Sequence, residues 1–283
     1  KGLTFQAHIM TLQFQILGCG SSGGVPRIDG DWGDCDPLEP KNKRSRCSLL
    51  ISRKTEEGVT NLLIDTSPDM REQLISAKAG HIDAVAFTHD HADQSHGIDD
   101  LRALAYRFRK RIPVWMDKRT SATITSRFAY CFSEINNSGY PSILEEKCID
   151  ETLSPIEVDG AGGVITAYPF QVDHGRIKAL GYKIGDVVYT PDVSEIPREN
   201  YKFLEGTKIW VVDALRHTPH PTHFHLEKTL AYIEKFKIKQ AFLTNLHIDM
   251  DYKKLCDALP PHIRPSYDGL TFGGNFTLAQ KSL

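Results

Sequence analysis

Thr88-His89-Asp90-His91-Ala92-Asp93-Gln94-Ser95-His96-Gly97 follows directly on the apolar run Ala84-Val85-Ala86-Phe87. Three histidines and two further carboxylates stand within these ten residues. An apolar strand that stops in imidazoles and carboxylates describes a metal site at a strand's carboxyl end, where open α/β sheets place their chemistry. Neutral imidazole is the commonest biological metal ligand, and mixed His/Asp sets suit zinc, iron or manganese. His89 and His91 are two apart, so on an extended segment both rings project to one side, and Asp93 continues the series.

Working outward, apolar runs alternate with amphipathic stretches along the whole chain. Leu12 to Leu17 reads as a strand, followed by the loop Gly18-Cys19-Gly20-Ser21-Ser22-Gly23-Gly24-Val25-Pro26. Ser48 to Ser52 and Leu62 to Thr66 are strand-like and are spaced for a hairpin across Glu56-Glu57-Gly58. Pro68 to Ala79 reads as a helix with Ser67 as its N-cap. Ile98 to Arg109 has helical spacing, Ile112 to Met116 is strand-like, and Thr120 to Phe132 is helical. The second half repeats the texture. Strands are expected at Val164 to Val172, Ala179 to Ile184, Val187 to Thr190, Lys208 to Val212 and Ala241 to Thr244, with helices at Leu226 to Phe236 and Tyr252 to Leu259. No low-complexity linker divides the halves. The pattern predicts an α/β fold of one domain, residues 10–283, with two sheets face to face and helices outside. Residues 1–9 precede Met10 and are read as an N-terminal extension.

Composition narrows the class. Lys plus Arg (34) nearly balances Asp plus Glu (36), so no overall field favours nucleic acid or a membrane surface. The six cysteines are scattered without a C-x-x-C pair, which reads as free thiols of a cytoplasmic protein rather than a disulfide framework. No apolar run approaches the ~20 residues of a membrane span.

The signature of the opening stretch recurs at later strand ends. His174 follows Phe170-Gln171-Val172-Asp173, Asp192 follows Val187-Val188-Tyr189-Thr190-Pro191, and His247 follows Phe242-Leu243-Thr244-Asn245-Leu246. A carboxylate such as Asp192 can bridge two cations ~3.5–4 Å apart.

The ordered set Leu17 to Pro26, Leu63-Ile64-Asp65-Thr66-Ser67, Thr88 to Asp93, His174, Asp192 and His247 resembles the metallo-β-lactamase superfamily. The Gly-Gly-Val-Pro loop and Gly97-Ile98-Asp99-Asp100-Leu101-Arg102 are similar to its ribonuclease Z-related, PhnP-like phosphodiesterase branch. The resemblance covers about Thr11 to Phe272. It implies a four-layer αβ/βα sandwich of two mixed sheets, and two divalent ions per chain, zinc or manganese. Carried over by position, it makes His89, His91 and His174 ligands of one metal and Asp93 and His247 ligands of the other, with Asp192 bridging. Asp65 would orient the metal loop from behind. His223, in Pro221-Thr222-His223-Phe224-His225, resembles the histidine that meets the scissile phosphate and acts as general acid. His225 is the competing assignment.

Three departures from the family pattern stand out. Gln94 occupies the place where the motif H-x-H-x-D-H gives the second metal a histidine, so that site is expected to bind more loosely. The branch's cysteine-rich zinc loop is missing, and Asp31 to Arg46 with Lys41, Lys43, Arg44 and Arg46 replaces it. Arg44 and Arg46 are candidates to meet substrate phosphate, a solvated charged face being the plainer reading. Finally, His247 comes later than the family's usual threonine-histidine pair.

The expected activity is metal-dependent hydrolysis of a small cyclic or nucleotide phosphodiester by a metal-activated hydroxide, with His223 and Asp93 as catalytic residues. A ribonuclease Z-like RNA 3′-end endonuclease, a lactone or thioester hydrolase, and a nucleotide- or phosphate-binding protein with a degraded second site are the alternatives. Expected partners are the small substrate and a second copy in a homodimer. A membrane is not expected, and structured RNA is disfavoured.

Overall fold

The apolar runs become strands that fill two sheets in turn. In the computed structural model, which describes residues 10–134 and 139–276, the first sheet is laid down by β1 (Met10–Gly18), β2 (Ser48–Thr55), β3 (Gly58–Ile64), β4 (Ala84–Ala86), β5 (Ile112–Asp117) and β6 (Leu144–Ile149). The second takes β7 (Ile156–Val158), β8 (Ile165–His174), β9 (Ile177–Ile184), β10 (Val187–Thr190), β11 (Ile209–Asp213), β12 (Gln240–Thr244) and β13 (Ile263–Pro265). The last strand, β14 (Thr271–Phe276), returns to the first sheet beside β1. The orders are β14-β1-β2-β3-β4-β5-β6 and β13-β12-β11-β10-β9-β8-β7. The extension read at residues 1–9 lies outside the described residues.

Seven α-helices accompany the described strands: α1 (Met70–Ala77), α2 (Ala92–Ser95), α3 (Leu101–Phe108), α4 (Lys118–Arg127), α5 (Ala129–Phe132), α6 (Leu226–Lys235) and α7 (Tyr252–Ala258). Three apolar clusters then define four layers. Phe14, Ile51 and Leu62 of one sheet meet Tyr182, Tyr189 and Val211 of the other between the sheets. Met70, Leu74, Leu101 and Ile124 cover the outer face of the first sheet. Ile233 and Leu255 cover the outer face of the second. This is the expected αβ/βα sandwich.

Local departures have local causes. The predicted helix over 120–132 breaks at Phe128, whose backbone sits at φ −120, ψ 38, so α4 and α5 are separate. α1 starts after Asp69, not after Ser67. The Ser67 hydroxyl donates to Gln73 Oε1 (2.9 Å) and accepts from the Asp69 amide (3.1 Å), which uses it in the turn before the helix. The hairpin is as spaced, with Thr55 paired to Gly58.

Topology brings the chemistry to one edge. β10, β11 and β12 are parallel, so their carboxyl ends share a rim. β8 runs antiparallel to β9, and β9 to β10, so β8 ends at that rim too. In the first sheet β3 and β4 are parallel, and the Leu180 amide and Tyr182 hydroxyl of β9 donate to the carbonyls of Thr88 (2.8 Å) and Phe87 (2.6 Å). These bonds hold the histidine loop after β4 against the second sheet. Gly97 closes the loop: its amide donates to the Thr66 carbonyl (2.9 Å), and a Cβ there would stand 2.0 Å from the Ser67 carbonyl oxygen.

Candidate metal centre

Hydrogen bonding decides which nitrogen His89 and His174 offer. Buried Asp65, in the left-handed region at φ 64 where Asp is among the residues tolerated, accepts from the Thr88 amide (2.7 Å) and the Thr88 hydroxyl (2.8 Å). With its proton given to Asp65, the Thr88 oxygen accepts from His89 Nδ1–H at 2.9 Å. His89 Nε2 therefore carries a lone pair. His174 Nδ1 lies 2.7 Å from the Thr222 carbonyl, which can only accept, so His174 Nε2 is also a lone pair. Both converge on His91 Nδ1, at 3.0 and 3.3 Å. Two ligand nitrogens in a tetrahedral zinc site, each ~2.05 Å from the ion, stand roughly 3.3 Å apart. The three nitrogens have the chemistry and the spacing of one cation site. Burial pushes His89 well below the usual imidazole range, and burial with repulsion from His223 holds His174 down at about 4, so both stay neutral as ligands must.

Asp192 adjoins this cluster, grouped with His174 and His223. It is 3% exposed, and burial raises its carboxyl well above the carboxylate range. Gln94 Nε2 donates to Asp192 Oδ2 at 3.1 Å, and Asn245 Nδ2 lies 3.3 Å from Oδ1. His223 Nδ1 is 3.8 Å from Asp192 and 2.7 Å from Asp213 Oδ2, at the end of β11. Burial alone would lower the His223 pKa, but the carboxylates of Asp213, Asp192 and Asp93 overturn that and hold it up to about 9. Half-buried Asp93 lies 3.4 Å from Gln94 Nε2.

His91, Asp93, His174, Asp192, His223 and His247 all line one cavity of about 1160 Å³. The structure gives His247 different partners from those expected: its Nε2 meets the Arg27 guanidinium and its Nδ1 lies 3.0 Å from Asp249. His223, not His247, groups with Asp192. The two candidate phosphate arginines lie elsewhere. Arg44 is 2% exposed and donates to Asn42 Oδ1 (3.2 Å), while Arg46 pairs with Asp69 (2.7 Å); both line a separate cavity beside α1. His225 caps α6 and does not line the main cavity. His96 packs edge-on against Phe128, 5.6 Å between centroids, and does not line the main cavity.

The family model of the β-lactamase superfamily domain matches residues 60–248. The chain belongs to the metallo-β-lactamase superfamily. A diphosphatase from the PhnP family, known as a crystal structure, is 32% identical with a TM-score of 0.84, covering 95% of this chain and 100% of that one. This puts the chain in the PhnP-like branch of the superfamily. An octanoyltransferase of Porphyromonas gingivalis (strain ATCC BAA-308 / W83) is 33% identical over 258 residues, 90% of this chain and 50% of that protein. The chain thus spans about half the length of this curated relative. Zinc-bound PqqB from Methylobacterium extorquens shares the fold at a TM-score of 0.70 and 16% identity, covering 92% and 99% of the two chains.

Members of the superfamily are metal-dependent hydrolases, and the His89–His91–His174 cluster fits a divalent ion. Among the described residues, no helix is long and apolar enough to cross a membrane. Several contributors escaped the reading of the sequence. Asp213 follows the apolar run Ile209-Trp210-Val211-Val212, the same signal that marked Asp192, and was there to be read. Asn245 and Arg27 carry no such local mark. Asn245 sits in the left-handed region at φ 60, which turns the chain just past β12 towards Asp192.

Proposed function

We propose that this chain hydrolyses a small phosphodiester or phosphoanhydride, with nucleotides and cyclic nucleotides as the substrate class. One observation carries the reading: the cavity that presents His91, His174, Asp192 and His223 is also lined by Arg27, Arg176 and Arg216. Guanidinium groups match phosphate oxygens in charge and geometry, so arginines beside a cation site favour a phosphoryl group. Arg27 also meets His247, and Arg216 also donates to the Thr218 and Pro219 carbonyls. A divalent ion held by the histidines supplies acidified water and polarisation of a phosphoryl oxygen. The remaining steps belong to the chain. Asp213 holds the Nδ1 proton of His223, which leaves the Nε2 proton for a departing alkoxide. Asp93, on the cavity wall, is placed to accept a proton from attacking water.

The likeness to a diphosphatase supports this class, since a diphosphate is an anhydride at the same kind of phosphorus centre. The octanoyltransferase relative fits the cavity less well. Among the described residues no cysteine or lysine lines it, so it offers no thiol or amine to carry an acyl group. Half of that relative's length is unmatched by this chain, so its named activity is not carried over.

The test is turnover of bis(p-nitrophenyl) phosphate, a 2′,3′-cyclic nucleotide and a nucleoside diphosphate with zinc or manganese. His223→Ala should lower kcat about 10²–10⁴-fold. Cleavage of structured RNA without turnover of any small ester would favour the endonuclease reading instead.

A further inference from the structure

We infer that this chain holds one divalent ion, at His89, His91 and His174 beside Asp192, and that Gln94 and Asn245 close the adjoining position to a second. Two ions were expected from the resemblance to the superfamily, and the side chains around Asp93 and Asp192 do not fit the second.

A second ion between Asp93 and Asp192 needs lone pairs from its other neighbours. Gln94 presents Nε2, at 3.1 Å from Asp192 Oδ2 and 3.4 Å from Asp93 Oδ2. An amide nitrogen is a donor only, with no lone pair to give a cation. Its Oε1 is buried with no hydrogen-bond partner, and turning the amide over would set that oxygen against the two carboxylates. Asn245 likewise turns Nδ2 to Asp192 Oδ1 (3.3 Å) and to the Pro191 carbonyl (3.0 Å), and two acceptors fix that nitrogen as the donor end. Asp192 thus receives an N–H on each carboxylate oxygen. The positive ends of two amide dipoles occupy the space where a second cation would meet its charge.

The neighbouring imidazoles do not supply the missing donors. His223 Nδ1 holds its proton towards Asp213 at 2.7 Å. Both nitrogens of His247 are engaged, by Arg27 and Asp249. Nor can the amides swing aside readily. Gln94 is 0% and Asn245 2% exposed, so neither side chain has solvent to swing into. At His89 and His174 the arrangement is the opposite, with lone pairs facing inward towards His91 Nδ1 at 3.0 and 3.3 Å. One ion fits, and its neighbour is replaced by hydrogen bonds.

Metal counting tests this without reference to any substrate, so its failure is separable from failure of the phosphoryl assignment. The full chain is loaded with excess zinc, desalted and measured by inductively coupled plasma mass spectrometry. A parallel cobalt(II) titration is followed by its visible absorption. The expected result is one ion per chain and a titration endpoint at one equivalent. Two tightly held ions, or none, would overturn the inference. The double variant Gln94→His with Asn245→His is expected to hold two zinc ions per chain. A folded double variant that still holds one would show that the amides are not what excludes the second. If that variant does not fold, the single variants Gln94→Ala and Asn245→Ala are counted, and loss of the first ion in either would contradict the assignment of these amides to the second position.

Discussion

Asp213 Oδ2 lies 2.7 Å from His223 Nδ1, with the carboxylate wholly buried and the imidazole facing the cavity. A buried acceptor of this kind fixes the tautomer and favours the charged ring, and its consequences can be read by pH. In metal-free protein, the His223 ring should titrate at about 9 by NMR. Because the folded pKa lies above the ordinary 6.5, the pair's stabilisation is complete below about pH 6.5 and is lost as pH rises through about 9. Asp213→Asn should move the His223 titration down and flatten the fall in melting temperature over that window. An unmoved titration would show that the carboxylate is not what holds the proton.

Asp65→Asn should weaken metal binding about 10–100-fold, measured by competition with a chelator. The carboxylate accepts both the amide and the hydroxyl of Thr88, and Asn has one oxygen for two donors. Freed from Asp65, the Thr88 hydroxyl no longer dictates that His89 offers Nε2 to the ion. Thr88→Val should act in the same direction. Unchanged affinity in both variants would remove Asp65 from the account.

Arg27→Ala should raise KM for an anionic substrate by about tenfold or more, with a smaller effect on kcat. That factor corresponds to loss of one charge-assisted contact of ~1.5–3 kcal/mol. His247→Ala should leave metal content unchanged, because His247 is held by Arg27 and Asp249 instead of standing with Asp192. Loss of an ion from His247→Ala would identify it as a ligand.

Gly97→Ala should cost about 1–3 kcal/mol in chemical denaturation, as overpacking does elsewhere. A Cβ at 2.0 Å from the Ser67 carbonyl must push the metal loop away from the end of β3. Metal affinity should fall with stability, since the same approach positions Asp65 and Thr88.

Much of the site was legible because its parts are local in sequence. His89, His91, Asp93, His174 and Asp192 each follow an apolar run closely, and strand direction then delivers them to one rim. The sandwich was legible for a similar reason, since most runs are long enough to declare themselves. β6 was not: Leu144-Glu145-Glu146-Lys147-Cys148-Ile149 carries three consecutive charges that break the apolar run. Contacts between distant segments were the illegible part. Arg27 reaches His247 across 220 positions, and Asn245 reaches Asp192 across 53, through the parallel pairing of β10, β11 and β12. Arg44 looked like one more charge in a basic run, and only packing shows its guanidinium turned inward to Asn42 and Cys35.

The most direct measurement is hydrolysis of bis(p-nitrophenyl) phosphate by chelator-stripped protein as zinc or manganese is returned in sub-stoichiometric steps. The account predicts no turnover without metal, activity that rises to a plateau near one equivalent per chain, and none at any metal concentration in His89→Ala. Turnover by stripped protein, or by His89→Ala, equal to that of the reconstituted enzyme would contradict it.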